Sequence, residues 1–371
     1  MKRITNLSPR ENYISILENE GMLYHTINGI PYWNETVAYE FTADEIDYID
    51  DSATDIQNLC MSLVQSEVTK GDYLGYNFTD TEKELIQKSW YNQHKAFYGR
   101  MDFGYDGTNL KLFEYNADTP TCLLESSVCQ WNWMNKIINK VDQFNSIHEK
   151  MQSFFSYYEA DKIHFTAMKN SSQEDWCNLH YILDVAYSSG KSVSSLDLES
   201  VGWDTNVNSF VDMGYDEIHH LFKLYPWEWL MKDEFAPKIL QSNTIFLEPA
   251  WKMILSNKML PVKLWQMFPN HPNLLPAYEE LNDWFSYGKW VKKPKLGREG
   301  QGISHMRGII RNSMKKGDNI AQKNFKVKKF DGYTPVLGVW VVNGLVCGMG
   351  IREDKNTITS NTSSFVPHYF L

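Results

Sequence analysis

The chain has 371 residues, 43% of them hydrophobic, 22% charged and 14% aromatic, a composition that suits a globular protein of one large domain or two to three ordinary ones. Its net charge of −10 and pI near 5.5 exclude a general nucleic-acid binder, which needs a field of Lys and Arg, but leave room for an anionic ligand held by a few local cations. No stretch approaches the roughly 20 apolar residues of a membrane span, and the basic N-terminus has no apolar run behind it.

The stretch SPRENYISILENEGMLYH predicts a first helix, with Ser8 and Glu11 at capping-box spacing and Ile14 and Leu17 on one face. Ile46, Ile49, Ile56, Leu59, Leu63 and Val64 recur near helical spacing and predict a second. A third is expected from Asp80 to near Gly99. The segment YGRMDFGYDGTNLKLFEYNADTPT, from Tyr98 to Thr121, predicts a β-hairpin ribbon, and Glu125 to Tyr158 predicts one long helix. KIHFTAM, DWCNLHYILDVAYSSG and SVSSLDLES then read as strand, helix and strand, which suggests a small α/β unit over 160–235. NTIFLEPAWKMILSNKMLPVKLWQMF predicts an apolar helix or helix pair broken by prolines. KWVKKPKLGREGQGIS predicts a strand, a glycine loop and a second strand. YTPVLGVWVVNGLVCGMGIRED predicts two strands about a Val-Asn-Gly-Leu turn, and the apolar SFVPHYFL should dock.

Three places carry candidate chemistry. In the ribbon, Arg100 and Asp102 precede the turn, and Glu114 and Asn116 follow it. Strand residues two apart share a face, so each pair lies on one side. All four positions are even-numbered, so the pairs meet only if the turn contains an odd number of residues, which YDGTN could supply through Gly107. Two carboxylates, an amide oxygen and a guanidinium together suit Mg²⁺ bound with phosphates, whereas a solvated outer face would also alternate in charge. The second place is KKPKLGREGQGIS, whose Lys292, Lys293, Lys295 and Arg298 sit among Gly297, Gly300 and Gly302. Such a loop can cradle phosphate, although it lacks the Walker A ending. The third is Arg352, at the end of the strand LVCGMGI, where it could neutralise transition-state charge or serve an ordinary ion pair. Lys258 is unusual among the apolar residues of LSNKMLP.

Other chemistries lack support. There is no G-x-S-x-G elbow and no H-E-x-x-H. The five cysteines are odd in number and scattered, with no C-x-x-C, which argues for reduced thiols rather than disulfides or structural zinc.

The ribbon, LSNKMLPVKLWQMFPNHPNLLPAY, KKPKLGREG and the terminal GMGIRED…ITSNTSSFVPHYF together resemble the glutathionylspermidine synthetase family, in the family's order along essentially the whole chain. The resemblance implies an α+β, circularly permuted ATP-grasp fold similar to eukaryotic glutathione synthetase. The 160–235 unit would then be an insertion on the substrate side, and 285–330 a lid carrying the glycine loop. It implies ATP and Mg²⁺, as two ions, with Asp102, Glu114 and Asn116 as metal ligands. Arg100, Lys258 and Lys293 resemble the family's contacts to ATP, Gly297 belongs to the loop over the phosphates, and Gln322, Lys323 and Phe325 in IAQKNF resemble the adenine segment. Arg352, with Arg100, resembles the catalytic cations. Glu174, Asp175, Glu299 and Gly300 resemble the contacts to substrate.

The implied reaction is amide formation by an acid–amine ligase. A carboxylate, of a peptide such as glutathione or of another acid, takes the γ-phosphate of ATP, and a polyamine-like amine then displaces phosphate. The expected partners are therefore a small acid and a small amine in the cytoplasm, without nucleic acid or membrane, and the sequence carries no signal of oligomeric state. A nucleotide-binding protein or ATPase without ligase activity is the alternative, and it has no use for Arg352. Bifunctional family members carry an N-terminal amidase domain, whereas this chain begins almost at the synthetase part. Pro226 in LYPWEW also stands where the family has Thr, which implies different substrates.

Overall fold

The computed structural model describes residues 1–138, 140–281, 289–298, 300–306, 314, 316–360 and 362–371. The chain begins with β1 (Lys2–Ile4), α1 (Tyr13–Asn19), β2 (Ala38–Phe41), α2 (Ala43–Lys70) and α3 (Asp80–Tyr91). The ribbon follows as β3 (Tyr98–Tyr105) and β4 (Leu110–Asn116), then α4 (Gln130–Ile137) and α5 (Ile147–Tyr157). Next come β5 (Lys162–Ala167), α6 (Gln173–Ser188), β6 (Ser192–Asp197), β7 (His220–Leu224), β8 (Ile245–Leu247) and α7 (Leu260–Met267). The last part holds β9 (Ala277–Tyr278), β10 (Trp290–Pro294), β11 (Ser304–Met306), β12 (Asn319–Lys323), β13 (Thr334–Val342), β14 (Leu345–Asp354), β15 (Ser364–Val366) and β16 (His368–Phe370).

These strands build a mixed α/β architecture around a five-stranded antiparallel sheet of order β15-β14-β13-β3-β4. A parallel sheet, β8-β7-β5-β6, packs Phe222, Leu224 and Leu247 in one core with Tyr98, Trp340 and Val342 of the central sheet. An antiparallel sheet, β9-β12-β10-β11, bonds β4 through Lys293 and Gln322, and β1-β2-β16 forms a small three-stranded sheet.

Helix α2 has a complete capping box from Thr42 and Glu45, and it ends at Gly71 in the left-handed region. It buries Ile49, Ala53, Ile56, Cys60 and Val64 in one core with Met101, Phe103, Val339, Val341, Met349 and Ile351. These sheet residues alternate with Arg100, Asp102, Gly338, Gly350 and Arg352, so the opposite face of the central sheet is the polar one. Two further contacts fix the neighbouring elements. Buried Glu248, just after β8, accepts from the Phe97 and Tyr98 amides and from Lys252 Nζ at 2.7 Å. Lys223 on β7 forms a buried 2.7 Å ion pair with Asp118, just beyond β4.

Three helix expectations give way to tertiary bonding. Ser8 caps nothing, because the Arg10 amide and guanidinium both bond the buried Glu35 carboxylate, and α1 starts only after Asn12. Helix α3 stops at Tyr91, where the following chain unrolls to bond Glu248 and Trp251. The long helix expected from Glu125 is broken between α4 and α5. There the backbone pairs instead with the sheet edges, as Asp142 bonds Phe370 and Ser146 bonds Cys347.

The ribbon converges by a different route from the one its sequence suggests. Its turn, Asp106–Asn109, is even in length, with the Asp106 carboxylate accepting from the Thr108 and Asn109 amides. An even turn alone would set Phe113 opposite Asp102 and send Glu114 to the core side. A β-bulge at Phe113 resets the ladder instead. Leu112 pairs with Phe103, but Glu114 pairs with Asp102 and Asn116 with Arg100. The Phe113 ring rests where a Cβ on Gly104 would come within 2.3 Å of it. We predict that Gly104→Ala costs about 1–3 kcal/mol of stability by this overpacking and weakens nucleotide binding, as measured by denaturant unfolding and by titration with Mg·ATP. Unchanged values in both would show that the bulge does not need this glycine.

Candidate active site

The polar face carries a connected cluster. Arg100 grips Asp102 through two bonds, Nε to Oδ1 at 2.7 Å and an amino nitrogen to Oδ2 at 3.0 Å, and reaches the Thr121 carbonyl. It lies over the bare backbone of Gly338, where a Cβ would stand 2.7 Å from Arg100 Cδ. Burial opposes the guanidinium's charge, but Asp102 outweighs it and raises the pKa. Asn116 donates to Asp102 at 3.1 Å. Glu114 stands beside them, with Oε2 3.5 Å from Lys258 Nζ. Burial pushes its carboxyl up, yet Lys258, Lys293 and Arg100 together hold it below the usual range.

Lys258 also donates to the Gly297 carbonyl at 2.5 Å, which ties it to the glycine loop. Lys293 on β10 donates to the carbonyl of the bulge residue Phe113 at 3.0 Å, and burial lowers its pKa to about 8. Gln322 on β12 bonds the Leu112 carbonyl at 3.1 Å. So β10 and β12 supply donors to carbonyls of β4, the edge strand of the central sheet, at and beside the bulge.

Two cavities meet at this cluster. One, of about 990 Å³, is lined by Lys293, Gln322, Lys323 and Phe325, with Val291, Val327 and Val336 on its apolar side. Its size suits a nucleotide. The other, of about 130 Å³, is more polar and is lined by Arg100, Asn116, Glu174, Lys258, Gly297 and Arg352. Asp102, Glu114, Gly300 and Thr359 border both. A Cβ on Gly300 would stand 2.6 Å from the Thr359 carbonyl and 3.2 Å from Ile358 Cγ2, so the glycine loop meets the C-terminal segment here only because it has no side chain.

The donors fit magnesium. Asp102, Glu114 and Asn116 offer hard oxygens on one face, and Glu114 Oε2, 3.5 Å from Lys258 Nζ, is buried with no hydrogen-bond partner among the described residues. Cys122, Glu125 and Glu174 also bring ligand atoms within 4.8 Å of one another. Burial pushes the Cys122 thiol up to about 11, however, so at neutral pH it keeps its proton and is a poor ligand.

Nearly all the sequence-derived residues come together. Asp175 is turned to another task, closing the capping box of α6 with Ser172, and it is not among the residues lining either cavity. Glu299 lies outside the described residues.

The family described as glutathionylspermidine synthase preATP-grasp matches residues 4–371. The chain belongs to this family. Over its whole length it is 44% identical to a provisionally named acid–amine ligase of Haemophilus influenzae, each chain covering 100% of the other. It is 25% identical to the trypanothione synthetase of Crithidia fasciculata over 76% of this chain and 48% of that one. It is also 25% identical to the bifunctional glutathionylspermidine synthetase/amidase of Escherichia coli, over 92% of this chain and 60% of that one. The chain thus spans about half to three-fifths of those two relatives. Among solved structures, a glutathione synthetase-like effector of Globodera pallida has a similar fold, with a TM-score of 0.56 at 11% identity, over 97% of this chain and 98% of that one.

In this member of the family, several cavity residues escaped the sequence reading. Thr119 and Thr121 follow the ribbon directly, in ADTPT. Their signal is a run of small polar residues and proline at a strand end, next to the polar residues of the ribbon. Arg298, one of the glycine-loop cations named from the sequence, bonds Thr119 Oγ1, stacks 5.1 Å from the Trp229 ring and lies 3.8 Å from Glu228. Tyr32 comes from a segment with no sequence signal at all.

Glu114→Gln should weaken Mg²⁺-dependent ATP binding on the order of tenfold or more while leaving the fold intact. Calorimetric titration with and without Mg²⁺, beside a thermal melt, checks it. Equal affinity in variant and wild type would remove Glu114 from the metal set.

Proposed function

We propose that the protein is an ATP- and Mg²⁺-dependent ligase that joins a carboxylic acid to an amine through an acyl phosphate. The observation that carries this reading is the meeting of a nucleotide-sized cavity and a smaller polar cavity at Asp102 and Glu114. The names of the relatives, among them synthetases and an acid–amine ligase, support the same class of reaction. The reading includes a circularly permuted ATP-grasp order, with the metal-holding ribbon early and the phosphate-binding lysines late. The unit at 160–235 would then serve the substrate side, and 285–330 would be the lid.

In this reading the large cavity takes ATP. Gln322, Lys323 and Phe325 border the adenine, Lys293 and Lys258 face the phosphates, and Gly297 and Gly300 let the loop lie close above them. Asp102, Glu114 and Asn116 would hold Mg²⁺, as two ions, which supplies charge neutralisation and alignment of the phosphates when bound. The acid enters the polar cavity, and one of its carboxylate oxygens attacks the γ-phosphorus as ADP leaves. Arg100 and Arg352 then face the oxygen that gains charge when the amine adds to the acyl carbon. Because the cations are fixed before the reaction, they need no reorganisation as that charge develops. The acid would be a peptide such as glutathione or a related acid, the amine polyamine-like, and the compartment the cytoplasm.

Two measurements test the reading. ADP release with Mg·ATP should be stimulated by one acid and further by one amine, across a panel of glutathione and glutamate with spermidine and putrescine. ATP hydrolysis indifferent to every addition would leave a nucleotide-binding protein or ATPase. Arg352→Ala should lower kcat about 10²–10³-fold with little change in ATP affinity, as expected for a contact made in the transition state. Wild-type kcat in that variant would show that Arg352 has no such part.

A further inference from the structure

The ligase reading leaves one proton unassigned. An amine reaches the enzyme as an ammonium ion and cannot attack until it loses a proton. Among the described residues, three carboxylates outside the metal set line the polar cavity: Asp118 is held by Lys223 at 2.7 Å and Glu228 faces Arg298 at 3.8 Å, which leaves Glu174 to accept it. Glu174, in the first turn of α6, lines that cavity together with Arg100, Lys258 and Arg352.

What sits behind Glu174 is unusual. Glu125 is fully buried, and a carboxylate oxygen of each residue lies within 4.8 Å of the other and of Cys122 Sγ. Both Glu125 oxygens are taken, one by the Tyr24 hydroxyl at 2.8 Å and the other by the Tyr32 hydroxyl at 2.7 Å. Two tyrosines on the N-terminal segment thus fix the inner carboxylate, while the outer one faces the cavity. Two carboxylates this close in a buried site cannot both carry charge cheaply, so the pair holds one proton between them. Burial, then Glu125 and Asp175, push the Glu174 carboxyl up to about 8, against the pull of Arg352 and the Cys122 amide. The other titratable groups facing the pair are the Cys122 and Cys129 thiols beside Glu125 and Cys177 on α6, all kept protonated by burial.

We propose that Glu174 is the base that takes the proton of the incoming amine, and that Glu125 positions and tunes it. This rests on the ligase reading. The Glu174 carboxylate takes one N–H proton of the ammonium ion. The freed nitrogen lone pair forms the bond to the acyl carbon, and the C–O bond to phosphate breaks, with its electron pair leaving on phosphate. The second N–H proton departs with phosphate, and Glu174 returns its own proton to water. A base that titrates near working pH is also the most effective kind.

Hydroxylamine, a nucleophile largely unprotonated at neutral pH, separates this role from binding and folding. Glu174→Gln and Glu125→Gln are assayed with the panel acid and amine that stimulate ADP release, and with hydroxylamine in place of the amine. In Glu174→Gln the ratio of hydroxamate to amide formed at neutral pH should rise about a hundredfold over wild type. That ratio is unaffected by any general loss of folded enzyme. In Glu125→Gln, removal of the like charge should move the acidic limb of amide-forming kcat/KM down by on the order of one pH unit, with the hydroxylamine profile unmoved. An unchanged ratio in the first variant, or a lowered plateau without a shifted limb in the second, overturns the assignment. If no acid stimulates ADP release in the wild type, the ligase reading itself falls, a result distinct from either.

Discussion

The candidate site depends on one extra residue in one strand. The bulge at Phe113 shifts the pairing of β3 and β4 by a single position, and it decides which side chains of β4 face the cleft. Below it, toward the turn, Leu110 and Leu112 are buried in the core; above it, Tyr115 and Ala117 are. Glu114 and Asn116 therefore reach the face that Arg100 and Asp102 occupy. A strand has a side-chain period of two, so without the extra residue both would point at α2. Burying a carboxylate there without a partner would cost several kcal/mol.

The same strand also joins the central sheet to the glycine-loop sheet. It is the edge of the central sheet, and the outward carbonyls of an edge strand in a buried place must find donors. Lys293 and Gln322 supply them. Two residues assigned to the nucleotide thus also dock one sheet on the other, so the distance between the carboxylates and the glycine loop is set by hydrogen bonds. Lys258 completes the link, between Glu114 and the Gly297 carbonyl.

Charge is balanced unequally around the polar cavity, which both Glu114 and Glu174 line. Around Glu114 the cations win, and its carboxyl is held ionised. Around Glu174 burial and like charge win, and its carboxyl is pushed toward neutrality. Two acids on one wall are driven apart by their neighbours, an arrangement that lets one hold a cation while the other exchanges a proton. Asp102 and Arg100 satisfy each other at the boundary, above Gly338, whose missing side chain makes the room.

The sequence by itself determined the local elements and the kinds of residue in the site. The helical spacing of Ile46, Ile49 and Ile56, the Asn-Gly turn at 343–344, and the alternation in KIHFTAM each name their structure, because the signal lies within a few residues of its effect. The polar residues of the ribbon and the glycine loop were legible for the same reason. The tertiary structure decided where helices stop and which faces meet. Ser8 lost its cap to the Arg10–Glu35 pair, and the expected long helix was broken by pairing with residues more than two hundred positions away. The bulge lies between these cases. The apolar spacing of Leu110, Leu112 and Tyr115 already breaks the period of two, but only the sheet shows that the break is a bulge. Glu125 stayed silent in the sequence, because what makes it notable is burial beside Glu174 and two distant tyrosines, and no spacing along the chain records that.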